Sequence, residues 1–291
     1  MKNKEKIIVV DGNYVLMRSK FAFKNFHRED GEPNGMLFGF SKTISHLITK
    51  HKPDYLIFTF DVSKSKKRIA IDPNYKANRK HNDSPETIAM FNQMKLARKM
   101  VELLGFKAFI VPECEADDCA AKIVKDYKDN YEINLYTVDK DWYQLLLNDN
   151  VKMLNSKKGT EILYNRYNFI EDWGINPYRW PEVAAMTGDA SDNVIGVKGI
   201  GNKTALKYIK KYEDLWTALD NEEKLKPHKE QCLKNYELTL LDGTACGDSK
   251  ASLDDNKIES IKLYNKDAIN EFLITWELWD FLAFVNSDLN K

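Results

Sequence analysis

Residues 112–124, PECEADDCAAKIV, set Glu115, Asp117 and Asp118 within four consecutive positions and then run into Cys119, Ala120, Ile123 and Val124, small or apolar residues at helical spacing. Acids in a first helical turn offset the positive end of the helix dipole, and one or two would need no other explanation. Three are harder to account for. Unit charges ~4 Å apart cost roughly 4 kcal/mol per pair at an effective dielectric near 20. The crowding therefore asks either for several protonated acids or for cations among them.

The rest of the chain alternates strand and helix patterns. Near-continuous apolar runs at 6–10 (KIIVV), 54–60 (DYLIFTF), 107–111 (KAFIV), 133–138 (INLYTV) and 151–154 (VKML) suit parallel strands covered on both faces. Between them, Ser84 is a helix N-cap with Pro85 at the first helical position. That helix turns Ile88, Phe91, Leu96, Met100 and Leu104 inward and stops at Gly105. The pattern predicts an α/β domain over 1–170 with a mostly parallel sheet. Beyond 171 strand signals fade into short helices separated by Gly and Pro, a helical region over 171–260. Residues 261–291 are a tail whose Trp-rich helix at 272–284 packs back on the body.

Composition is that of an ordinary soluble chain: 291 residues, 43% hydrophobic, 30% charged, formal net charge zero. The start, MKNKEKIIVVDGNY, has too short an apolar run for a signal peptide, and no later stretch reaches the length of a membrane span, so a cytosolic protein without a membrane partner is expected. The four cysteines show no CxxC spacing and the five histidines no HxxxH pair. Neither a disulfide framework nor a zinc site is indicated, and buried thiols are expected.

Three of the strands end in aspartate: Asp11, Asp61 and Asp139, with Asp141 two residues on. A fourth runs through Pro112 into Glu115, Asp117 and Asp118. Ligands of open α/β sheets bind at the carboxyl ends of strands, so four segments deliver acids to one edge. Asp189 and Asp192 in TGDASDN add two more. Oxygen-only donors select hard ions, Mg²⁺ with Mn²⁺ as a substitute, and so many acids suit two ions acting on a phosphodiester.

Residues 62–81, VSKSKKRIAIDPNYKANRKH, carry Lys64, Lys66, Lys67, Arg68, Lys76, Arg79 and Lys80 against the single acid Asp72. Their place after Asp61, with Tyr75 to stack on a base, predicts a phosphate-gripping lid or arch over about 62–95. In GVKGIGNKTALKYIKKY, Asn202 intervenes where a P-loop needs lysine, which excludes nucleotide-triphosphate binding. The Gly-rich turn at Gly199 and Gly201 opens a helix that can aim N–H groups at a polynucleotide phosphate, with Lys203 and Lys207 behind it.

The segments VVDGNYVLMR, FTFD followed by YKANR, ECEADD, TVDKDWYQLL and MTGDASDNVIGVKGIGNKTA resemble, in order from about 6 to 215, the 5′-nuclease superfamily. This comprises the 5′→3′ exonuclease domain of bacterial DNA polymerase I and the free-standing flap endonucleases of bacteriophages. The resemblance implies a PIN-like α/β sheet flanked by helices, a helical arch and a helix–three-turn–helix module that grips duplex DNA. It implies a two-metal, structure-specific nuclease that acts on DNA with 5′ flaps or 5′ ends and on RNA–DNA primer junctions, working as a monomer. Asp11, Asp61, Glu115, Asp117 and Asp118 match one metal cluster, and Asp139, Asp141, Asp189 and Asp192 the second. Lys76 and Arg79 match arch residues on the scissile phosphate, and Arg18 a basic residue near the active site. In some relatives the turn also holds a monovalent cation such as K⁺, here through the carbonyls of Met186, Thr187, Ile195, Val197 and Ile200.

No polymerase sequence follows residue 291, so a stand-alone protein of a phage, or of a bacterium that keeps the nuclease separate, is expected. Two other readings compete. A PIN-type endoribonuclease shares the acids but gives no reason for the GVKGIG module, and a non-catalytic branched-DNA-binding protein would lack some of the acids. The stretch 242–255, DGTACGDSKASLDD, has no assigned role.

Overall fold

In the computed structural model, residues 4–79, 83–157, 160–260 and 265–289 are described. A five-stranded sheet is built on β1 (Lys6–Asp11), flanked by β2 (Tyr55–Thr59) on one side and by β3 (Glu132–Tyr136), β4 (Val151–Lys157) and β5 (Thr160–Tyr164) on the other. The first four strands are parallel, and β5 returns antiparallel to β4 at the edge. Val9 lies level with Ile57 and Leu135, so the aspartates that follow these strands emerge along one edge.

Side-chain alternation explains why the strands are apolar throughout. Ile7, Val9, Ile57, Ile133 and Leu135 feed one core, whereas Ile8, Val10, Leu56, Phe58 and Tyr136 feed another on the opposite face. The second face is covered by α1 (Gly12–Ala22), α2 (Gly35–His46) and α4 (Pro85–Leu103), reached after the short α3 (Lys66–Ile71). The first face carries α5 (Ala116–Tyr127) and a helical region: α6 (Arg166–Trp173), α7 (Trp180–Thr187), α8 (Asn202–Tyr212), α9 (Leu215–Asn221) and α10 (Lys229–Thr239). Trp180, Val183, Met186, Ile209 and Leu219 lie in the same buried cluster as the sheet residues of that face, so the helical region is continuous with the sheet core.

Three sequence expectations need correction. KAFIV at 107–111 is not a sheet strand: it joins β2 through one parallel bridge, Phe58 to Ala108, because the chain then turns through Pro112 to start α5. Ser84 caps α4 as expected, accepting from Thr87 N, yet Ile88 is 51% exposed, and buried Gln93 takes an inward position instead. The tail is two helices rather than one, α11 (Lys266–Thr275) and α12 (Trp279–Phe284), broken at Glu277 with φ 54°. Phe272, Leu273, Leu278 and Phe281 still pack on the second face as predicted. The four cysteines are free and buried.

Gln93 is a buried polar residue inside this layer, as are Ser19 of α1 and Ser41 and Thr43 of α2. Its Oε1 accepts from Met36 N (3.0 Å) and Leu37 N (3.4 Å), satisfying amides in the first turn of α2 from the neighbouring α4. Replacing it with Leu strands those buried donors, so Gln93→Leu should lose about 1–3 kcal/mol in urea denaturation, although it adds apolar surface.

Candidate active site

Each strand end delivers its acid in a different local setting. Asp11 N-caps α1: its Oδ1 accepts from Tyr14 N (2.9 Å) and its Oδ2 from the Thr137 hydroxyl (2.9 Å). Asp61 accepts from Ala116 N (2.7 Å), which ties the end of β2 to the start of α5. Glu115 caps α5 in a reciprocal box with Asp118, and its neighbour Asp117 accepts from the indole N–H of the buried Trp142 (2.7 Å). Asp139 accepts from Asp141 N in the turn after β3, and Asp189 accepts from the amide and hydroxyl of Ser191.

These carboxylates act on one another electrostatically across what the sequence suggested were two clusters. Withdrawal from water, reinforced by Asp139, Asp61 and Asp11, holds the Asp117 pKa well above the usual carboxylate range. The same burial, with Asp139, Asp189 and Asp192 close by, pushes Asp141 to about 8. Asp11 rises to about 7, chiefly through burial. The two expected sets of acids thus act on each other, and Asp117, Asp141, Asp189 and Asp192 line one cleft together with Arg68 and Tyr75.

Basic side chains enter this cluster from the segment after β2. Lys76, with φ 54°, places Nζ 2.7 Å from Glu115 Oε2 and 3.6 Å from Asp192 Oδ2. Burial opposes its charge, but Glu115 and Asp192 outweigh that and raise its pKa. Arg79 pairs with Asp192, and Lys76 N, Asn78 and Arg79 bond the carbonyls of Asp192, Ala190 and Ser191. The segment is therefore docked onto the acidic turn, and α3 is seated through Ile69 and Ile71 against Tyr75, Val194 and Leu238.

Docking changes several expected roles. Arg68 is no surface phosphate contact: it is 4% exposed, paired through both terminal nitrogens with Asp118 (2.7 and 2.9 Å), and donates through Nε to Leu238 O. Asp118, expected among the metal ligands, has both oxygens engaged by that guanidinium and stands behind the cleft as its counter-ion. Tyr75, expected to stack on a base, is 3% exposed with its hydroxyl shared between Glu115 (3.0 Å) and Asp192 (2.8 Å). Lys64, Lys66 and Lys67 remain exposed, with Lys66 paired to Glu113, and Lys80 lies outside the described residues. Arg18 sits at the side, over the Tyr14 and Tyr136 rings, donating to Tyr136 Oη and Thr43 Oγ1.

The Gly-rich turn is built from close backbone approach. Gly188 has φ +69°, and a Cβ there would lie 2.3 Å from Gly196 N; a Cβ on Gly196 would meet Thr187 O at 2.0 Å. Beyond it, Gly201 caps α8 in open space and Gly199 turns with φ +78° beside Lys224. Lys203 and Lys207 are exposed on α8, joined by exposed Lys198 within the turn and by exposed Lys224, which the sequence did not point to because a lysine 25 residues from the turn gives no local signal. Three carbonyls expected to hold a monovalent cation have internal donors. Met186 O accepts from Val197 N, Ile195 O from Gln231 and Asn235, and Val197 O from Ile200 N. Trp142 and Thr137 were also missed, although TVDKDW sets both a hydroxyl and an indole N–H within three residues of Asp139.

Two predictions follow from these charges. Asp118→Ala leaves Arg68 buried without its bidentate partner and should lose about 3 kcal/mol or more in chemical denaturation, whereas Asp117→Asn keeps an acceptor for Trp142 and relieves repulsion. In EDTA, Asp117→Asn should melt no lower than wild type. Between the ordinary carboxylate pKa and the raised values of Asp11 and Asp141, the folded chain retains protons that the unfolded chain releases. Stability in EDTA should therefore fall as pH rises from about 4 to about 8. Thermal melts across that range, with and without added Mg²⁺, check this, and the ion should oppose the fall.

Comparison with known proteins agrees with this geometry. The family model described as the 5′-3′ exonuclease N-terminal resolvase-like domain matches residues 6–174, and that of the 5′-3′ exonuclease C-terminal SAM fold matches 175–261. A 5′-3′ exonuclease of Aquifex aeolicus is 30% identical over 241 residues, 81% of each chain. The thermostable DNA polymerase I of Thermus thermophilus is 35% identical over 228 residues, 77% of this chain. The chain matches only about a quarter (26%) of that polymerase's length. Among solved structures, the bacteriophage T5 flap endonuclease in a pseudo-enzyme–product complex with DNA and metal ions superposes with TM-score 0.70 at 22% identity, over 96% of this chain and 100% of that one. The catalytic core of Rad2 with a DNA substrate gives 0.56 at 15% identity, over 98% and 90%. With both family models matched end to end over a PIN-like sheet whose acids meet at one edge, the chain belongs to the 5′-3′ exonuclease family of the 5′-nuclease superfamily.

Proposed function

We propose that the chain is a divalent-metal-dependent, structure-specific 5′-nuclease that hydrolyses phosphodiester bonds of DNA bearing 5′ flaps or 5′ ends. The observation that carries this is the single carboxylate cluster with Lys76 inside it. An all-oxygen donor set this crowded, with Asp117 and Asp141 pushed toward their protonated forms, fits a hard divalent ion and is costly without one. Asp11, Asp61, Glu115, Asp117, Asp139, Asp141, Asp189 and Asp192 are the residues that would hold Mg²⁺, in a count of two. When bound, the ions supply an activated water and neutralise charge on the phosphate.

The chain's own contribution is positioning and charge. Lys76 and Arg79, held at the acids by the 190–193 turn, supply fixed positive charge where a scissile phosphate would lie. Arg18, oriented by Tyr136 and Thr43, adds a third cation at the side. The amides at the start of α8 with Lys198, Lys203, Lys207 and Lys224 form a sequence-independent grip on duplex phosphates. We assign 1–170 to catalysis, 171–260 to duplex binding and 261–291 to a supporting tail. Relatives support this reading: the T5 structure is of a flap endonuclease with DNA and metal ions, and the Aquifex relative is a 5′-3′ exonuclease.

The test is cleavage of a 5′-labelled flap, with all-DNA and RNA-primed versions. Mg²⁺ should give cleavage, EDTA none, and Ca²⁺ binding without turnover; full cleavage in EDTA overturns the proposal. Lys76→Ala should bind the flap within about tenfold of wild type, as one phosphate contact among many. Its single-turnover rate at saturating enzyme should fall about 100-fold, as for loss of one transition-state donor. An unchanged rate with weaker binding would make Lys76 an ordinary phosphate contact.

A further inference from the structure

Outside the cleft, two histidines converge on one carboxylate at the edge of the sheet. His46 closes α2, His51 closes the π-helical turn Leu47–His51 that follows it, and Glu161 lies on β5. His46 Nε2 is 3.2 Å from Glu161 Oε2, and His51 Nε2 is 2.8 Å from Oε1. The two rings stand 5.9 Å apart at 76°. One nitrogen from each ring and a carboxylate oxygen all fall within 4.8 Å of one another.

We propose that His46, His51 and Glu161 form a second metal site, separate from the carboxylate cluster and specific for a transition ion of the Zn²⁺ class. Donor chemistry carries the assignment, because two imidazoles and one carboxylate are the ligands Zn²⁺ takes at about 2.0–2.2 Å, leaving a fourth position for water. Mg²⁺ prefers oxygen and does not compete for it.

The local backbone is what makes the site. In a continuous α-helix, residues five apart point roughly 140° away from each other at 100° per residue. A π turn closes through i→i+5 bonding and brings such residues over one another, and π turns concentrate at functional sites. Lys52 then leaves the turn in the left-handed region (φ 45°), with its amide on Ile48 O. This is why the spacing HLITKH, which matches no helical ligand pair, gave no zinc signal in the sequence.

Glu161 is a ready ligand. Burial disfavours its charge, but hydrogen bonds from Lys50, His51 and His46 outweigh that and hold it ionised, with a pKa of about 2. Among the described residues, Lys50 competes for Glu161, pairing with its Oε2 from a side chain that is half in water, so an incoming ion releases it to solvent at little cost. A bound ion would lace the β4–β5 hairpin, the edge of the sheet, to the end of α2. The proposal does not depend on the nuclease reading.

The experiment is a Co²⁺ titration of the full chain with the carboxylate cluster saturated by excess Mg²⁺. One equivalent should give the intense visible bands of a four- or five-coordinate nitrogen–oxygen site, in contrast to the weak spectrum of six-coordinate oxygen ligation. Asp117→Asn should keep those bands. His51→Ala and the solvent-side variant His46→Gln, which keeps a donor for Glu161, should lose them, and Zn²⁺ should bind each about tenfold or more weakly in competition against the Co²⁺ of wild type. Bands that persist in both histidine variants, or only the weak six-coordinate spectrum in wild type, overturn the site.

Discussion

Repulsion among carboxylates at the carboxyl edge of the parallel sheet is the constraint on which the rest of the structure depends. Parallel strands all end on the same side, so a chain that follows its strands with Asp11, Asp61 and Asp139 has no way to disperse those charges. The fold answers with fixed donors. The first turns of α1 and α5 present backbone N–H groups to Asp11 and Asp61, Thr137 and Trp142 add side-chain donors, and Arg68 takes Asp118 out of the cleft. Burial, reinforced by the neighbouring acids, still pushes Asp117 and Asp141 toward protonation, which is the state a divalent ion reverses.

The same charge organises the elements around it. Residues 66–79 reach back over the acids because Arg68, Lys76 and Arg79 each find a carboxylate there, while Ile69, Ile71 and Tyr75 bury against Val194 and Leu238. Attraction and apolar contact thus close the segment onto the turn at 189–194, and that turn can lie so close to α7 only because Gly188 and Gly196 have no side chains. The proposed catalytic edge and the proposed duplex-binding turn are thus joined directly. The element proposed to contact substrate is therefore positioned by the acids beside it.

Most of the fold and the identity of the acids were legible in the sequence, for reasons visible in particular residues. Val9, Ile57 and Leu135 sit in apolar runs because each strand is covered on both faces, and Ser84-Pro85 marks a helix start by local chemistry alone. KAFIV failed as a strand although its composition is right, since strand pairing depends on the partner's free edge and on where Pro112 sends the chain. Ile88 is exposed against expectation, and Gln93 is buried because what faces it on α2 is an open first turn, a fact that periodicity does not encode.

By itself the sequence determined which segments alternate as strand and helix, which acids follow the strands, and that a Gly-rich turn opens a basic helix. These are properties of local spacing and of the two-sided burial of parallel strands. Only the tertiary structure decided which charges are used and which are countered. Arg68, Lys76 and Arg79 look alike in a basic run, yet one is a buried counter-ion, one lies among the acids and one sits at the rim. His46 and His51 become neighbours only through a π turn, and they meet Glu161 only because β5 folds back beside them. The physical reason is that charge acts through distances in space, and sequence spacing sets such distances only within a single helix or strand.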